Sequence, residues 1–181
     1  MVKYQTERLI LRDWLDSDIE AYIALNQDPE VLKYFPRLYT REESIADIAE
    51  YRQLLQDSGY TIYACELREE NIFIGFVGLF KRDDMPFSPC VEIGWRLAKE
   101  YWGRGYATEA ARKCLEIGFE ECNLDEIVSF TPIINQPSER VMQKIGMLHN
   151  PEDDFCHYKV SKDHPLSRHV LYRLTRAQYR S

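Results

Sequence analysis

Up to Gly59 the apolar positions recur mainly at helical spacing. Leu9-Ile10-Leu11 is a short strand candidate, led in by Thr6-Glu7-Arg8. Asp16-Ser17-Asp18 offers N-cap oxygens, and Ile19, Tyr22, Ile23 and Asn26 give the one-sided stripe of a helix. Asp28-Pro29 predicts a second short helix carrying Val31, Leu32 and Phe35 and stopping at Pro36. Thr40 with Glu43 reads as a capping box for a third helix, striped by Ile45, Ile48, Ala49 and Leu55 and ended by Gly59.

From Tyr60 the period falls to two. Tyr60 to Leu67 alternates, Arg68-Glu69-Glu70-Asn71 is a turn, and Ile72 to Phe80 is almost continuously apolar, as in a strand covered on both faces. After a loop at Asp83-Asp84-Met85-Pro86-Phe87-Ser88-Pro89 comes a strand from Cys90 to Leu97. Three strands joined by short loops predict an antiparallel meander. A helix then runs from Thr108 to about Cys122, striped by Ala107, Ala110, Ala111, Cys114, Leu115 and Gly118. Glu126 to Thr131 is the next strand, so the segment reads as a βαβ crossover with a parallel pair. Asn135 to Ile145 is a further helix with Pro137 near its start and Gly146 after its end. A polar stretch without clear period separates it from a last strand, Arg168 to Leu174. The sum is a mixed α/β (α+β) domain whose sheet has an antiparallel first half.

Composition narrows this picture. The 181 residues suit one domain, 1–181, and 45% hydrophobic with 29% charged residues is ordinary for a soluble globular chain. No apolar run approaches a membrane span, and the opening residues lack a signal-peptide core, so a cytoplasmic protein without membrane partners is expected. A net charge of −7 argues against nucleic acid and fits a cationic acceptor such as an amine. Cys65, Cys90, Cys114, Cys122 and Cys156 show no paired spacing and are expected as reduced thiols. The four histidines supply no zinc pattern, and no metal is expected.

The chemistry concentrates at Trp102-Gly103-Arg104-Gly105-Tyr106-Ala107-Thr108-Glu109-Ala110. Two glycines permit a sharp turn, a helix start aims free amides into it, and Arg104 adds charge. That predicts a phosphate or pyrophosphate seat, or else a tight connection with no ligand. No Walker-type phosphate loop is present.

These residues also carry a resemblance. Glu92-Ile93-Gly94-Trp95-Arg96-Leu97 followed by Tyr101 to Ala110 resembles the acetyl-CoA signature of the GNAT N-acetyltransferase superfamily, most closely its RimJ/RimL-type ribosomal-protein N-terminal acetyltransferase branch. Asn135-Gln136-Pro137-Ser138-Glu139-Arg140-Val141-Met142-Gln143-Lys144-Ile145-Gly146 is similar to that branch's second signature, and Thr6 to Arg12 and Asp28 to Val31 are typical of it. One position departs from the superfamily: Trp102 stands where Gln or Arg is usual, so it offers no basic group.

The resemblance implies the GNAT fold, with a splayed parallel pair in the sheet and flanking helices. It implies acetyl-CoA as co-substrate, its pyrophosphate held by Gly103, Arg104, Gly105, Tyr106, Ala107 and Thr108. Its pantetheine arm would lie along the main chain of Trp95, Arg96 and Leu97; Arg96 is otherwise an exposed charge. Asn135 would touch the pantetheine or the reacting centre, besides capping its helix. Ser138 would aid the leaving thiolate, or is a plain first-turn serine. Glu92, opposite in face to Val91, Ile93, Trp95 and Leu97, is the candidate general base, or else a structural ion-pair partner. Tyr106, Tyr158 and Tyr172 are candidate acids. Of Phe155, His157, His164 and His169, one lines the acceptor cleft or each is structural or at the surface. Tyr34, Phe35 and Trp14 wall that cleft or are core. The reaction implied is transfer of an acetyl group to a primary amine by direct attack; the alternative is a non-catalytic acetyl-CoA-binding or partner-binding module. A homodimer is a further open expectation.

Overall fold

A computed structural model describes residues 3–180. Its sheet has nine strands: β1 (Lys3–Gln5), β2 (Leu9–Arg12), β3 (Ile62–Leu67), β4 (Ile72–Arg82), β5 (Cys90–Leu97), β6 (Glu126–Pro132), β7 (Leu148–His149), β8 (Phe155–Cys156) and β9 (Arg168–Thr175). The order is β1-β2-β3-β4-β5-β6-β9-β7, with β8 also on β9. The first five strands pair antiparallel, β5 and β6 pair parallel, and β9 returns antiparallel to β6.

Helices cover both faces. On one side lie α3 (Tyr106–Glu116) and α4 (Gln136–Lys144), whose Ala110, Cys114, Leu115 and Met142 meet Leu9, Leu11, Val77, Leu79 and Ile93 of the sheet. On the other lie α1 (Ile19–Gln27) and α2 (Arg41–Ser58), where Tyr22, Leu25 and Ile48 pack with Trp14, Ile62, Ala64 and Phe76. A four-residue helix, α5 (Arg176–Tyr179), follows β9. The antiparallel meander, the crossover and the two-sided covering follow the predicted pattern. α2 begins at the expected box: Thr40 Oγ1 accepts the Glu43 amide at 3.1 Å, and the Glu43 carboxylate accepts the Thr40 amide at 2.8 Å.

Three expectations are corrected. Residues 28–36 form isolated turns, not a helix. The Asp28 carbonyl accepts the Leu32 amide at 3.0 Å, but the Phe35 amide turns back to the Leu32 carbonyl at 2.8 Å, so the first turn does not propagate; the Asp28 carboxylate meanwhile accepts the Glu30 amide at 2.8 Å and pairs with Lys99 at 3.1 Å. α3 starts two residues early, at Tyr106, and its continuation, Ile117–Glu121, widens into a π-turn. The polar stretch after α4 contains β7 and β8, strands too short to show a period, which gain their order only from β9.

Candidate active site

β5 pairs with β4 along its whole length, from Gly75↔Leu97 to Arg82↔Cys90. Its parallel contact with β6 is a single bridge, Glu92↔Val128. One step further the Ser129 hydroxyl donates to the Ile93 carbonyl at 2.9 Å, a side chain standing in for the ladder. Beyond that the two strands part, so Trp95, Arg96 and Leu97 border a split in the sheet. Gly75 shapes the same end from β4: a Cβ there would lie 2.2 Å from the Arg96 carbonyl oxygen, so only glycine lets the strands approach.

The loop after β5 has the predicted turn. Gly103 and Gly105 are left-handed, with φ of 73° and 83°. No side chain caps α3 at Gly105, and the Glu109 amide makes an early helical bond, to the Gly105 carbonyl at 3.0 Å. The amides of Tyr106, Ala107 and Thr108 are therefore left without intrahelical partners, at the positive end of the helix. The loop is braced from the other end of the sheet. Arg8 donates to the Arg104 carbonyl at 3.0 Å and pairs with Glu109 at 2.6 Å, while Thr6 donates to Glu109 at 2.5 Å. The Arg8 guanidinium also lies over the Tyr106 ring, 4.6 Å from its centroid. Trp102 fixes the turn by donating its indole N–H to the Leu97 carbonyl at 2.7 Å. A cation lies beside that position all the same: the Lys33 ammonium sits 5.5 Å from the Trp102 ring centroid.

Glu92 points to the α1/α2 side, opposite Ile93 of the α3-facing core, and is cross-strand from Phe80. Its nearest cation is Arg82, at 3.7 Å, too long for a tight pair. Burial pushes its carboxyl up to about 7, Arg82 opposing and Asp84 adding. Arg82 itself is engaged by Asp84 at 2.9 Å, and Asp84 accepts the Tyr158 hydroxyl at 2.6 Å. The loop after β4 is thus tied to the segment after β8. Behind this tie, Phe87, Phe130, Phe155, His157 and His169 form one aromatic cluster. His157 and His169 are buried there, and burial pushes His157 down to about 4. His164 is exposed and accepts the Leu166 amide at 3.1 Å.

Asn135 is buried at the start of α4. Its amide group donates to Thr131 Oγ1 at 2.8 Å and Ser138 Oγ at 3.0 Å, and its carbonyl accepts the Ser138 amide at 3.4 Å. Asn135 and Ser138 are therefore brought together at the mouth of the split. Tyr172 donates its hydroxyl to Glu139 at 2.9 Å. Trp14 is core; Tyr34 and Phe35 are not, Phe35 being 40% exposed. The reading of Arg96 as an exposed charge is corrected: it is buried, because β5 turns it under Phe35, Tyr39 and Phe76.

Residues 8–148 match the family described as the Acetyltransferase (GNAT) domain. The chain belongs to this family. A Bacillus subtilis relative named "Uncharacterized N-acetyltransferase YnaD" is 34% identical over 143 residues, 78% of this chain and 80% of its own. A GNAT-family acetyltransferase structure from Bacillus anthracis superposes with a TM-score of 0.78 at 29% identity, over 97% of this chain and 99% of that one. The fold alone is shared with spermidine N-acetyltransferase from Vibrio cholerae, solved with CoA and spermine, at a TM-score of 0.77 and 17% identity over 97% of this chain and 100% of that one. This GNAT protein is thus an acetyl-CoA-dependent N-acetyltransferase. Its uncapped α3 start and split sheet are chemically fit for a pyrophosphate and an extended amide-bearing arm. Among the described residues no cluster of three or more His, Cys, Asp or Glu is arranged to hold a metal, and no helix is long and apolar enough to cross a membrane.

Several partners in this GNAT site were not legible beforehand. The Arg8–Glu109 brace joins residues 101 positions apart, and the Asp84–Tyr158 tie joins residues 74 apart. Both ends of the brace stood inside quoted signatures, the one sequence signal available. Ser129 and Asn26 gave no such signal.

Proposed function

We propose that residues 1–181 act as one catalytic unit of the RimJ/RimL-type branch, acetylating a primary amine by direct attack on the thioester of acetyl-CoA, with Glu92 as general base. One observation carries the reading: a carboxylate on the open face of β5, at the single bridge before the split, with its proton held to about 7 by burial. A carboxyl of that strength accepts a proton from an ammonium, directly or through one water, near neutral pH. The freed amine forms the C–N bond, the C–S bond breaks, and the thiolate takes up a proton. Ser138 stands beside Asn135 to hydrogen-bond that thiolate. Gly103 to Thr108 supply amides for the pyrophosphate, Arg104 and Lys33 supply charge, and the main chain of Trp95, Arg96 and Leu97 borders the pantetheine arm. Cys65 and Cys114 are buried with their thiols pushed up by burial, which suits a route without an acyl-cysteine.

The acceptor class fits the fold neighbours, which include a ribosomal-protein-S5-alanine acetyltransferase from Vibrio fischeri at 18% identity and a TM-score of 0.79. The test is Glu92→Gln, followed by thiol release from acetyl-CoA with peptide and small amines. A loss of kcat of about 10²–10⁴, with acetyl-CoA affinity retained, is expected. Undiminished kcat removes Glu92 from the mechanism.

A further inference from the structure

Two arginines are buried among the described residues, and their surroundings differ. Arg12, 6% exposed, is neutralised twice, by Asp18 at 2.7 Å and Glu66 at 2.8 Å. Arg96, 9% exposed, has no carboxylate within 4.0 Å among the described residues. Its one hydrogen bond there runs from Nη1 to Oδ1 of the Asn26 side chain, and its Nε–H has no partner. Three rings, of Phe35, Tyr39 and Phe76, lie 4.4, 5.1 and 5.2 Å from its guanidinium carbon. Aromatic faces offset part of the cost of burying a cation, but they leave the donor fork unfilled. The carboxylate that senses Arg96 is Asp47, which is already bound by the Tyr22 hydroxyl at 2.9 Å.

The position of this unfilled fork matters. Arg96 and Glu92 lie on the same face of β5, two pleats apart, roughly 13 Å along the strand. Gly94 between them carries no side chain, so the face is a trough. The cover over Arg96 is Phe35, a solvent-facing ring on a segment of isolated turns, and Lys33 of that segment reaches Trp102 of the glycine loop. The segment covering the fork is thus tied to the glycine loop, and the fork shares the face of Glu92.

We propose that Arg96 is the receptor for a carboxylate on the acceptor, so that the preferred substrate is an amine that also carries a carboxylate. The inference rests on the reading of Glu92 as base for where the amine sits. A planar carboxylate accepts from the Nε edge of a guanidinium in a two-point pair, which neither an ammonium nor a neutral amide reproduces. The trough thus has a basic end for the anion and an acidic end for the amine. The carboxylate has two sources: a small amino acid, or an acidic residue near the start of a peptide.

Steady-state kinetics on matched pairs separates these sources. One pair is 4-aminobutyrate against its carboxamide; the other is an Ala-Asp peptide amide against its Ala-Asn counterpart. The acid of at least one pair is expected to exceed its neutral partner by about tenfold or more in kcat/KM. Arg96→Met should bring the two together, and Arg96→Lys should restore only part of the preference. A second readout needs no variant: the Nε–H signal of Arg96, assigned through bonds by NMR, should shift saturably with the acid and not with the amide. Turnover blind to the carboxylate together with an unmoved Nε–H signal overturns the receptor and leaves the transferase reading intact. A shifting signal without turnover of any amine supports the receptor and sinks the reading of Glu92. Neither turnover nor a shift overturns the receptor as well.

Discussion

At Glu92 the burial that raises the carboxyl to about 7 also works against the folded state at neutral pH. The unfolded carboxyl titrates near the ordinary glutamate value of 4.5, so between there and about 7 the folded chain holds the extra proton. The Glu92 contribution to stability is fully present below the lower value and is lost as pH rises through the upper one. Glu92→Gln removes that loss. Thermal melts at pH 8 should show the variant more stable than the parent, on the order of 1–3 kcal/mol, with the gap closing toward pH 5. A variant equally or less stable at pH 8 argues that Arg82, at 3.7 Å, compensates the charge fully. The same titration sets activity in the opposite direction. The base form grows as pH rises, so kcat/KM should climb through a pKa near 7 and the limb should vanish in Glu92→Gln. On the proposed role of Glu92 as base, the stability given up at this residue is what keeps a proton acceptor on β5.

The element proposed to carry the donor site is the β5–α3 connection, and its energetics are those of a helix start. Eleven residues of α3 align their amides toward a turn whose two glycines hold left-handed geometry. A β-branched residue at Gly105 must leave φ near 83° or bear the cost of staying there, about 1–2 kcal/mol. Gly105→Val should therefore tilt the first-turn amides and abolish acetyl-CoA binding by calorimetry, while far-UV circular dichroism stays native. Unchanged affinity would remove the clamp assignment. Space is not the issue, since the nearest atom to an added Cβ is the flexible Arg8 side chain at 3.5 Å. The brace from Thr6 and Arg8 to Glu109 makes the element depend on the opening strands: although burial opposes it, these partners hold the Glu109 carboxyl below its usual range.

Across the whole molecule the chain closes on itself at β9, which gathers β6, β7 and β8 and brings the segment after β8 to Asp84 of the loop after β4. Burial, with His169 and Arg82 adding, leaves His157 neutral in the fold and down at about 4. The unfolded histidine titrates near ~6.5, so its contribution is present above that value and is lost as pH falls toward the folded pKa. Glu92 shifts stability the other way over an overlapping range. Relative to the parent, His157→Gln should gain stability as pH drops from 7 to 4, whereas Glu92→Gln should lose ground over the same interval. Denaturant midpoints at several pH values check both slopes; parallel curves for the two variants contradict this account.

The meander β3-β4-β5, its parallel crossover to β6, the covering of a buried β4, the cap of α2 and the glycine turn could be read from residue order alone, whereas β1 and the place of β2 beside β3 could not. Each of the legible features rests on local chemistry: side-chain period, cap oxygens, backbone freedom at glycine. The sequence also carried the family signatures, and with them the acetyl donor. Residues 28–36 misled for the same reason, because helix-like spacing says nothing of a first turn that stops when the Phe35 amide bonds back to the Leu32 carbonyl. Folding alone put Arg96 in a buried place without an ion pair among the described residues, set Lys33 over the Trp102 ring, and let Arg8 brace the loop through Glu109. These are pairings across long stretches of chain, fixed by which face of which strand each residue occupies. Burial and charge balance exist only once those faces have met.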